Sequence, residues 1–466
     1  MKKKQNMFAA GHFTPTKVTA EILMKATSLA LLLHAGSASA DQFHYNNVIL
    51  GERAVGLGGA YTAVADDASG VYYNPGGLAF ALSNDISGSA NAFYSKKVVY
   101  KKIKELGDKD FTETAGGTFA PFFGVLQKLD KYVNGLVGAF AYYTSDTELK
   151  DQNDLYENVT VNAANDLERY HRSVQHRAAT TNISAAAGFR VSNSISVGAG
   201  LNYIQVSELT QEYQDTQLRA YSTSNGVRGA EKTLVIQSQN VRQYLGAHGI
   251  EASIGVQAAL TNTLTAGLTL RKGTYVSQGY ETSSEVNGVR RDLVTNSVEL
   301  PRATVDGEKG KHKKPLGTMP GEARVGVAWF ASTRFLWTMD VSHRESAQEA
   351  DKILVLAPLY DRRAVTNIAT GAEYYVLPSL PVRFGLFTNN DSRKKVEDVN
   401  KAFFVDHIDY IGESLFIAWV QPNSQIALGT VMQQGSGKAR KVANSANVQD
   451  VEASSWNIGF SATHSF

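Results

Sequence analysis

From about residue 84 onward, apolar and polar residues alternate with a period of two, the spacing of strands whose two faces meet different surroundings. The faces are clearest in the middle of the chain. Ile195, Val197, Ala199, Leu201 and Tyr203 share one face, and Ser196, Gly198, Gly200 and Asn202 the other. Leu264, Ala266, Leu268 and Leu270 oppose Thr265, Gly267, Thr269 and Arg271. Val325, Val327 and Trp329 oppose Arg324, Gly326 and Ala328, while Phe335, Trp337, Met339 and Val341 oppose Leu336, Thr338, Asp340 and Ser342. Read this way, the chain predicts strands near 84–95, 116–126, 135–146, 172–190, 195–212, 233–259, 264–279, 322–331, 334–343, 364–376, 381–390, 411–420, 425–434 and 453–466. That is about fourteen segments, each roughly as long as a tilted membrane strand.

Alternation alone also fits a soluble sandwich with its apolar face turned inward. The connections decide between the two. Six are tight: 127–134, Val191 to Ser194, Leu260 to Thr263, Ser332-Thr333, Leu377 to Leu380, and Gln421 to Ser424. The others are long and polar, at about 96–115, 147–171, 213–232, 280–321, 344–363, 391–410 and 435–452. Strict alternation of short and long places all long loops at one end, as in outer-membrane barrels with short periplasmic turns. The expected fold is therefore all-β: a membrane-spanning antiparallel barrel of about fourteen strands, with both chain ends on the periplasmic side. No run of 18 apolar residues offers a helical span.

Residues 51–79 do not alternate. This stretch is small, glycine-rich and apolar, and only Glu52, Arg53, Asp66 and Asp67 are charged. Gly56, Gly58 and Gly59 permit close backbone approach. Asp66 or Asp67 is placed to cap a short helix running to Tyr73, and Asn74-Pro75-Gly76-Gly77 ends it. Such a segment suits the inside of something larger, so residues 41–82 are read as a plug in the lumen and 83–466 as the barrel. Before it, Met1-Lys-Lys-Lys, the apolar core Leu29 to Ala35 and Ala38-Ser39-Ala40 read as an export signal over 1–40. A start at Met24 gives a more compact signal.

Composition excludes more than it identifies. The formal net charge of +2 gives no bias toward nucleic acid, and the absence of cysteine fits an exported bacterial protein without disulfides. The ten histidines have no metal spacing, and no cofactor is called for. Thr388-Asn-Asn-Asp-Ser392 lacks a complete calcium ligand series. Gly56-x-Gly58 is not a dinucleotide fingerprint, because no strand–turn–helix unit surrounds it. No catalytic triad or carboxylate pair emerges, so the chain is not read as an enzyme. The run Glu308-Lys-Gly-Lys-His-Lys-Lys314 is a solvated loop or a contact for lipopolysaccharide phosphates.

The combination Gly56-Leu-Gly-Gly-Ala-Tyr, Asp67-Ala-Ser and Tyr73-Asn-Pro-Gly-Gly-Leu resembles the N-terminal hatch of the FadL family of outer-membrane transporters for long-chain fatty acids and hydrocarbons. The match covers about residues 51–80. Glycine stands at Gly76 where the family carries alanine in its Asn-Pro-Ala motif. The barrel resembles the family in strand number and loop pattern. A terminal aromatic, Phe466, on an alternating strand resembles the C-terminal signature of bacterial outer-membrane proteins, from which His464 departs. The same hatch motif also resembles barrels of the PorV type, which serve protein secretion.

The resemblance implies a monomeric outer-membrane barrel that admits a hydrophobic small molecule from outside and holds it above the plug. It further implies sideways release through a gap beside a kinked strand. Pro121, Gly135 and Gly138 are the local candidates for that kink. Burying an acyl chain yields about 0.8 kcal/mol per CH₂, so a twelve-carbon stretch is held by roughly 10 kcal/mol before entropic costs. A carboxylate headgroup would need a cation. The inward face carries Arg190, Arg271, Arg324 and Arg383, with Asp340 and Glu373; either an arginine binds a headgroup or all belong to an internal ion-pair network. In the plug, Arg53, Asp66 and Asp67 are tethers or a ligand-responsive contact, and Asn74, Pro75 and Gly76 form a structural turn or touch the ligand.

Overall fold

A computed structural model describes residues 43–300, 302–305, 309–312, 319–347, 361–401, 405–441 and 445–466. The expected export signal, the alternative start at Met24 and part of the basic run 308–314 lie outside the described residues.

Fourteen long strands form the wall: β1 (Asp85–Ile103), β2 (Lys109–Lys128), β3 (Leu136–Asn162), β4 (Asn165–Arg190), β5 (Ile195–Ser224), β6 (Val227–Ala259), β7 (Leu264–Asp292), β8 (Glu322–Ser332), β9 (Phe335–Arg344), β10 (Val365–Leu377), β11 (Leu380–Asn389), β12 (Val405–Gln421), β13 (Ser424–Arg440) and β14 (Gln449–Ser465). Each pairs antiparallel with the next, and β1 pairs with β14 from Asp85↔Ser465 to Tyr100↔Val451. The sheet thus closes on itself, which leaves no lipid-facing edge of unpaired backbone groups. Three short strands, Val298–Glu299, Arg302–Val305 and Lys309–His312, fold back onto β7.

The two faces of the wall are sorted opposite to those of a soluble protein. On β8, Glu322, Arg324 and Ala328 point inward and are buried, whereas Val325 is 52% and Trp329 47% exposed. Leu201, Leu268, Ile417, Leu428 and Phe460 are likewise exposed on their strands. Large apolar side chains outside and charges inside are what a bilayer selects, so the wall reads as a membrane-spanning barrel.

The six tight turns lie where the pattern predicts, joining β2–β3, β4–β5, β6–β7, β8–β9, β10–β11 and β12–β13. The long connections differ. Stretches 147–171 and 213–232, expected as loops, are mostly strand: β3 to β7 run 27, 26, 30, 33 and 29 residues. Much of 96–115 and 280–292 is strand as well. Outside the lipid band, neither face of the sheet needs a continuous apolar row. Hydrogen bonds and β-favouring Thr, Val and Tyr keep the ladder going where the two-residue signal fades. By contrast, β8 to β11 span only 10 to 13 residues, so the barrel is tall on one side and short on the other.

Residues 43–81 lie against the inner face of this wall. They contain α1 (Glu52–Gly56), α2 (Gly70–Tyr73) and a 3₁₀ turn over Pro75–Phe80. Leu50, Leu57, Tyr61, Tyr73 and Leu78 form one apolar cluster with Phe122, Val137, Ala139 and Leu336 of the wall. The expected cap is different in detail. The N-cap of α2 is Ser69 and makes no side-chain cap bond. Asp67 instead accepts hydrogen bonds from the Ser69 N–H at 2.8 Å and the Ser69 hydroxyl at 2.5 Å, a turn that leads into the helix.

Candidate functional site

A ring of glycines receives the N-terminal segment. They lie on the inner face in mid-strand, where glycine often marks close approach of another backbone. A Cβ on Gly198 of β5 would overlap the Pro75 carbonyl carbon, and one on Gly255 of β6 would overlap Asn74 Oδ1. On β7, Gly267 faces Thr62; on β10 and β11, Gly371 and Gly385 face Leu57 and Gly58. Any side chain at these points would collide with the segment. The alternation pattern placed Gly198 and Gly267 on the inner face, but what they press against is visible only in the fold.

Asn74, Pro75 and Gly76 sit in this contact. Asn74 is fully buried and donates from Nδ2 to Thr62 O at 2.8 Å and to Val256 O of β6 at 3.0 Å. Its Oδ1 accepts from the Gly76 N–H at 3.0 Å. Pro75 begins the 3₁₀ turn, where its missing N–H costs nothing. Ser196 Oγ donates to Gly76 O at 2.7 Å. These polar groups are thereby directed to the segment itself or to the wall.

The charged candidates form two clusters and one outlier. In the first, Arg53 donates to both oxygens of Glu373, at 2.8 and 3.1 Å, and lies 3.5 Å from Asp66. Arg383 donates to Glu373 at 2.6 Å and also to Glu52. Tyr61 donates its hydroxyl toward Asp66 and Asp67 at 3.2 and 2.9 Å. Burial pushes the Asp66 carboxyl above the usual carboxylate range, against the opposing pull of Arg53. In the second cluster, Glu322 is met by Arg271 at 3.2 Å, Arg324 at 2.9 Å and Arg344 at 2.6 Å. Arg271 also donates to Tyr72 O, and the guanidinium groups of Arg271 and Arg324 lie over the Tyr72 ring at 4.5 and 5.5 Å. Asp340 Oδ2 accepts from Tyr61 N, Thr62 N and Thr62 Oγ1 at 3.0, 3.0 and 2.6 Å. Arg190 stands apart: it is exposed, near the short-turn end, and donates to Ala79 O at 2.7 Å. Glu322 was not singled out from the sequence; only strand register brings it beside three arginines.

Among the described residues, two ladders of the wall stop while their strands continue. Between β2 and β3, the ladder runs from Lys128↔Val137 to Phe122↔Tyr143 and stops, although both strands continue. The next residue of β2 is Pro121, which has no N–H to donate. Opposite it, a β-bulge in the β3–β4 ladder between Thr144 and Asp146 shifts the inward face of β3. Ala139, Ala141 and Tyr143 are buried below the bulge; Thr144, Asp146, Glu148 and Lys150 are buried above it. Of the kink candidates, Pro121 borders this break. Gly135 instead lies in the turn at φ +80°, and Gly138 sits in regular ladder against Gln127 and Ala187.

The second interruption lies between β10 and β11, whose ladder ends at Ala369↔Phe387. Here side chains take over. Thr388 Oγ1 accepts from Ile368 N at 2.9 Å, and Asn367 Oδ1 accepts from Asn390 N at 2.8 Å. Asn390 Nδ2 donates to Thr366 O at 2.8 Å. From inside, Asn46 bonds to Thr388 O at 2.9 Å and to Asn389 Oδ1 at 3.0 Å. Asn47 accepts from Asn389 at 2.9 Å and donates to Asp146, at the bulge, at 3.1 Å. The Thr388–Ser392 run, with its calcium-like oxygens, is thus a seal and a docking edge for residues 43–47; Ser392 Oγ donates to Phe43 O at 2.8 Å. Among the described residues no group of His, Asp and Glu is placed to hold a metal ion.

A small cleft on the N-terminal segment is lined by Asn46, Ile49, Tyr73, Arg324, Asp340 and Asn367, among others. It lies against β8 to β10, on the side of the sealed seam.

No family model and no curated protein matches the sequence. Solved structures do. A Pseudomonas aeruginosa FadL homologue aligns with a TM-score of 0.58 at 11% identity, covering 91% of this chain and 100% of that one. The P. putida toluene transporter TodX aligns with a TM-score of 0.59 at 10% identity, covering 90% and 98%. The Ralstonia pickettii toluene transporter TbuX gives 0.52 at 12% identity, covering 90% and 99%. The chain has the fold of the FadL- and TodX-type barrels.

Proposed function

We propose that this chain carries hydrophobic small molecules across the bacterial outer membrane, with residues 41–82 as a plug in the lumen and the β2–β3 break as a lateral exit. The observation that carries the reading is the break itself. It opens above the contact between the N-terminal segment and the wall, in a barrel whose outer surface is apolar. A ligand leaving there enters lipid without crossing water, so the hydrophobic stabilisation that holds it is retained along the route. The structural neighbours bearing the names of a FadL homologue and toluene transporters support the same reading.

Neutral hydrocarbons fit the lumen better than fatty acids do. Arg271, Arg324 and Arg383 each face a carboxylate of the protein at hydrogen-bond or ion-pair distance. A ligand carboxylate would have to displace Glu322 or Glu373, leaving a buried charge without its partner. The internal ion-pair network is therefore the role proposed for these arginines, and Arg53, Asp66 and Asp67 extend it as tethers of the plug. Both ligand classes enter the test. The chain from Asp41, folded in detergent, is titrated with a fluorescent long-chain fatty acid, then competed with toluene and dodecane. Saturable binding that the hydrocarbons displace, and that deletion of residues 51–79 weakens, is the expected result. Absence of saturable binding to any of them overturns the transport reading.

A second reading, a barrel that binds a protein partner as the PorV type does, rests on the tall side of the wall. Val294, Val298 and Leu300, beside the end of β7, are 71%, 57% and 73% exposed.

A further inference from the structure

The β2–β3 break has an upper edge as well as a lower one. Above Phe122↔Tyr143 the two strands approach again at Gly117 and Leu149. The Leu149 Cδ1 lies 2.5 Å from the place where a Cβ on Gly117 would stand, and its Cβ and Cγ lie 3.6 Å from it. A Cβ on Gly117 would force the Leu149 side chain to shift from this position. Leu149 follows the bulge on the outward register of β3 and is half-buried, between the buried Glu148 and Lys150. Further up, Gln152 pairs its carboxamide with the backbone edge of β2, accepting from Thr114 N at 3.2 Å and donating to Thr112 O at 2.7 Å. On the lumen side, Lys150 Nζ donates to Glu113 at 2.8 Å. The polar bridges of Gln152 and Lys150 fix the strand spacing, and Leu149, three residues below Gln152, is an apolar group lying across the gap.

We infer that Leu149 sets the upper edge of the lateral window and thereby the girth of the hydrophobic molecules that pass. This rests on the transport reading above. The opening below Leu149 spans Thr118 to Pro121 on β2, on the order of 13 Å of strand at about 3.3 Å per residue. An apolar crosspiece has no preference for one hydrocarbon over another except by shape, so it discriminates by width and not by headgroup. Truncating Leu149 to alanine removes the crosspiece and raises the edge to Gln152. Lengthening it to tryptophan lowers the edge.

The test uses uptake of a slender probe, radiolabelled dodecane, and a broad one, radiolabelled pyrene, by host cells expressing the full chain. Leu149→Ala raises the pyrene-to-dodecane uptake ratio roughly tenfold, the discrimination that a few methylenes carry in an apolar pocket. Leu149→Trp lowers it. The chain has no native cysteine, so a Gly117→Cys/Leu149→Cys pair gives a separate check. The 3.6 Å separation between the Leu149 Cβ and a Cβ on Gly117 falls within the range of disulfides. The bond should form on mild oxidation, seen by mass spectrometry, and lower the pyrene-to-dodecane ratio until reductant is added. An unchanged ratio in folded Leu149→Ala, judged by heat-dependent gel mobility, overturns the inference, as does failure of the disulfide to form. Should Leu149→Ala not fold, the disulfide pair decides alone. A wild-type chain that takes up neither probe above empty-vector cells sinks the transport reading itself, and the window with it.

Discussion

The seam between β2 and β3 and the seam between β10 and β11 lose their backbone ladder in similar ways but are finished differently. Both pair from the tight turn upward, to Phe122↔Tyr143 in one case and, past a register shift between Leu377 and Tyr375, to Ala369↔Phe387 in the other. Above that point β10 and β11 are stitched by Asn367, Thr388 and Asn390, with Asn46 and Asn389 backing them from inside. Short amide and hydroxyl side chains there do the work of missing peptide groups. At β2–β3 the corresponding positions are Pro121, which removes a donor, and a bulge, which turns β3 away. Leu149, Lys150 and Gln152 reach across, several residues higher. A barrel wall in lipid cannot leave backbone groups unsatisfied cheaply. One seam answers with side-chain substitutes; the other surrounds its gap with polar bridges on the lumen side. On the proposal above, the contrast separates a closed joint from a passage.

The largest expected effect comes from removing the bulge. Deletion of Ser145, between the shifted positions Thr144 and Asp146, returns upper β3 to the inward register of its lower half and lets it pair with β2. Hydrocarbon uptake by cells expressing this variant should fall at least about tenfold, which corresponds to roughly 1.4 kcal/mol or more on the barrier to exit. Wild-type uptake by a folded deletion variant would mean that ligands leave by another route, and the β2–β3 seam would be merely irregular.

The sealed seam should respond in stability rather than in transport. Asn389 is fully buried and bonds to Asn46 N–H, Asn47 and Gln433. Asn389→Ala removes those bonds from a buried site, a loss of about 1–3 kcal/mol. Urea unfolding of the detergent-folded barrel measures it, and faster hydrogen exchange at the Ile368 amide locates it. If the same change raises hydrocarbon uptake, the β10–β11 seam is a second passage and the contrast fails.

How much of this was legible in the sequence differs by region for a physical reason. Lipid contacts only one face of each strand, so the apolar rows of Val325, Val327 and Trp329 or of Leu264, Ala266 and Leu268 stood out. Tight turns fixed the strand count for the same reason. Once β3 to β7 rise beyond the lipid band, the constraint ends and so does the signal, and 147–171 read as loop. The glycine-rich stretch 51–79 was legible as something enclosed, because it suits neither lipid nor water. Its partners were not. Glu322 meets Arg271, Arg324 and Arg344 through the register of β7, β8 and β9, and no local pattern encodes a register. The inward arginines were recognisable as a group, but which carboxylate each would meet was not.

Pro121 illustrates the limit most closely, and its replacement is the smallest effect expected. Proline in a strand that otherwise alternates signals an interruption, and it does lie at the end of the β2–β3 ladder. The residue alone does not create the gap. The bulge at Ser145 on the opposite strand already turns β3 out of register, and the β1–β2 ladder is irregular at the same height, between Ser89 and Tyr94. Pro121→Ala restores one donor facing a strand that has moved away. Its cost or gain in stability should stay within about 1 kcal/mol, the net worth of one hydrogen bond, and uptake should change by less than about threefold, since a factor of ten needs 1.4 kcal/mol. Urea midpoints and dodecane uptake check the two numbers. A collapse of uptake as deep as that of the Ser145 deletion would instead make the missing N–H the cause of the opening and the bulge its consequence.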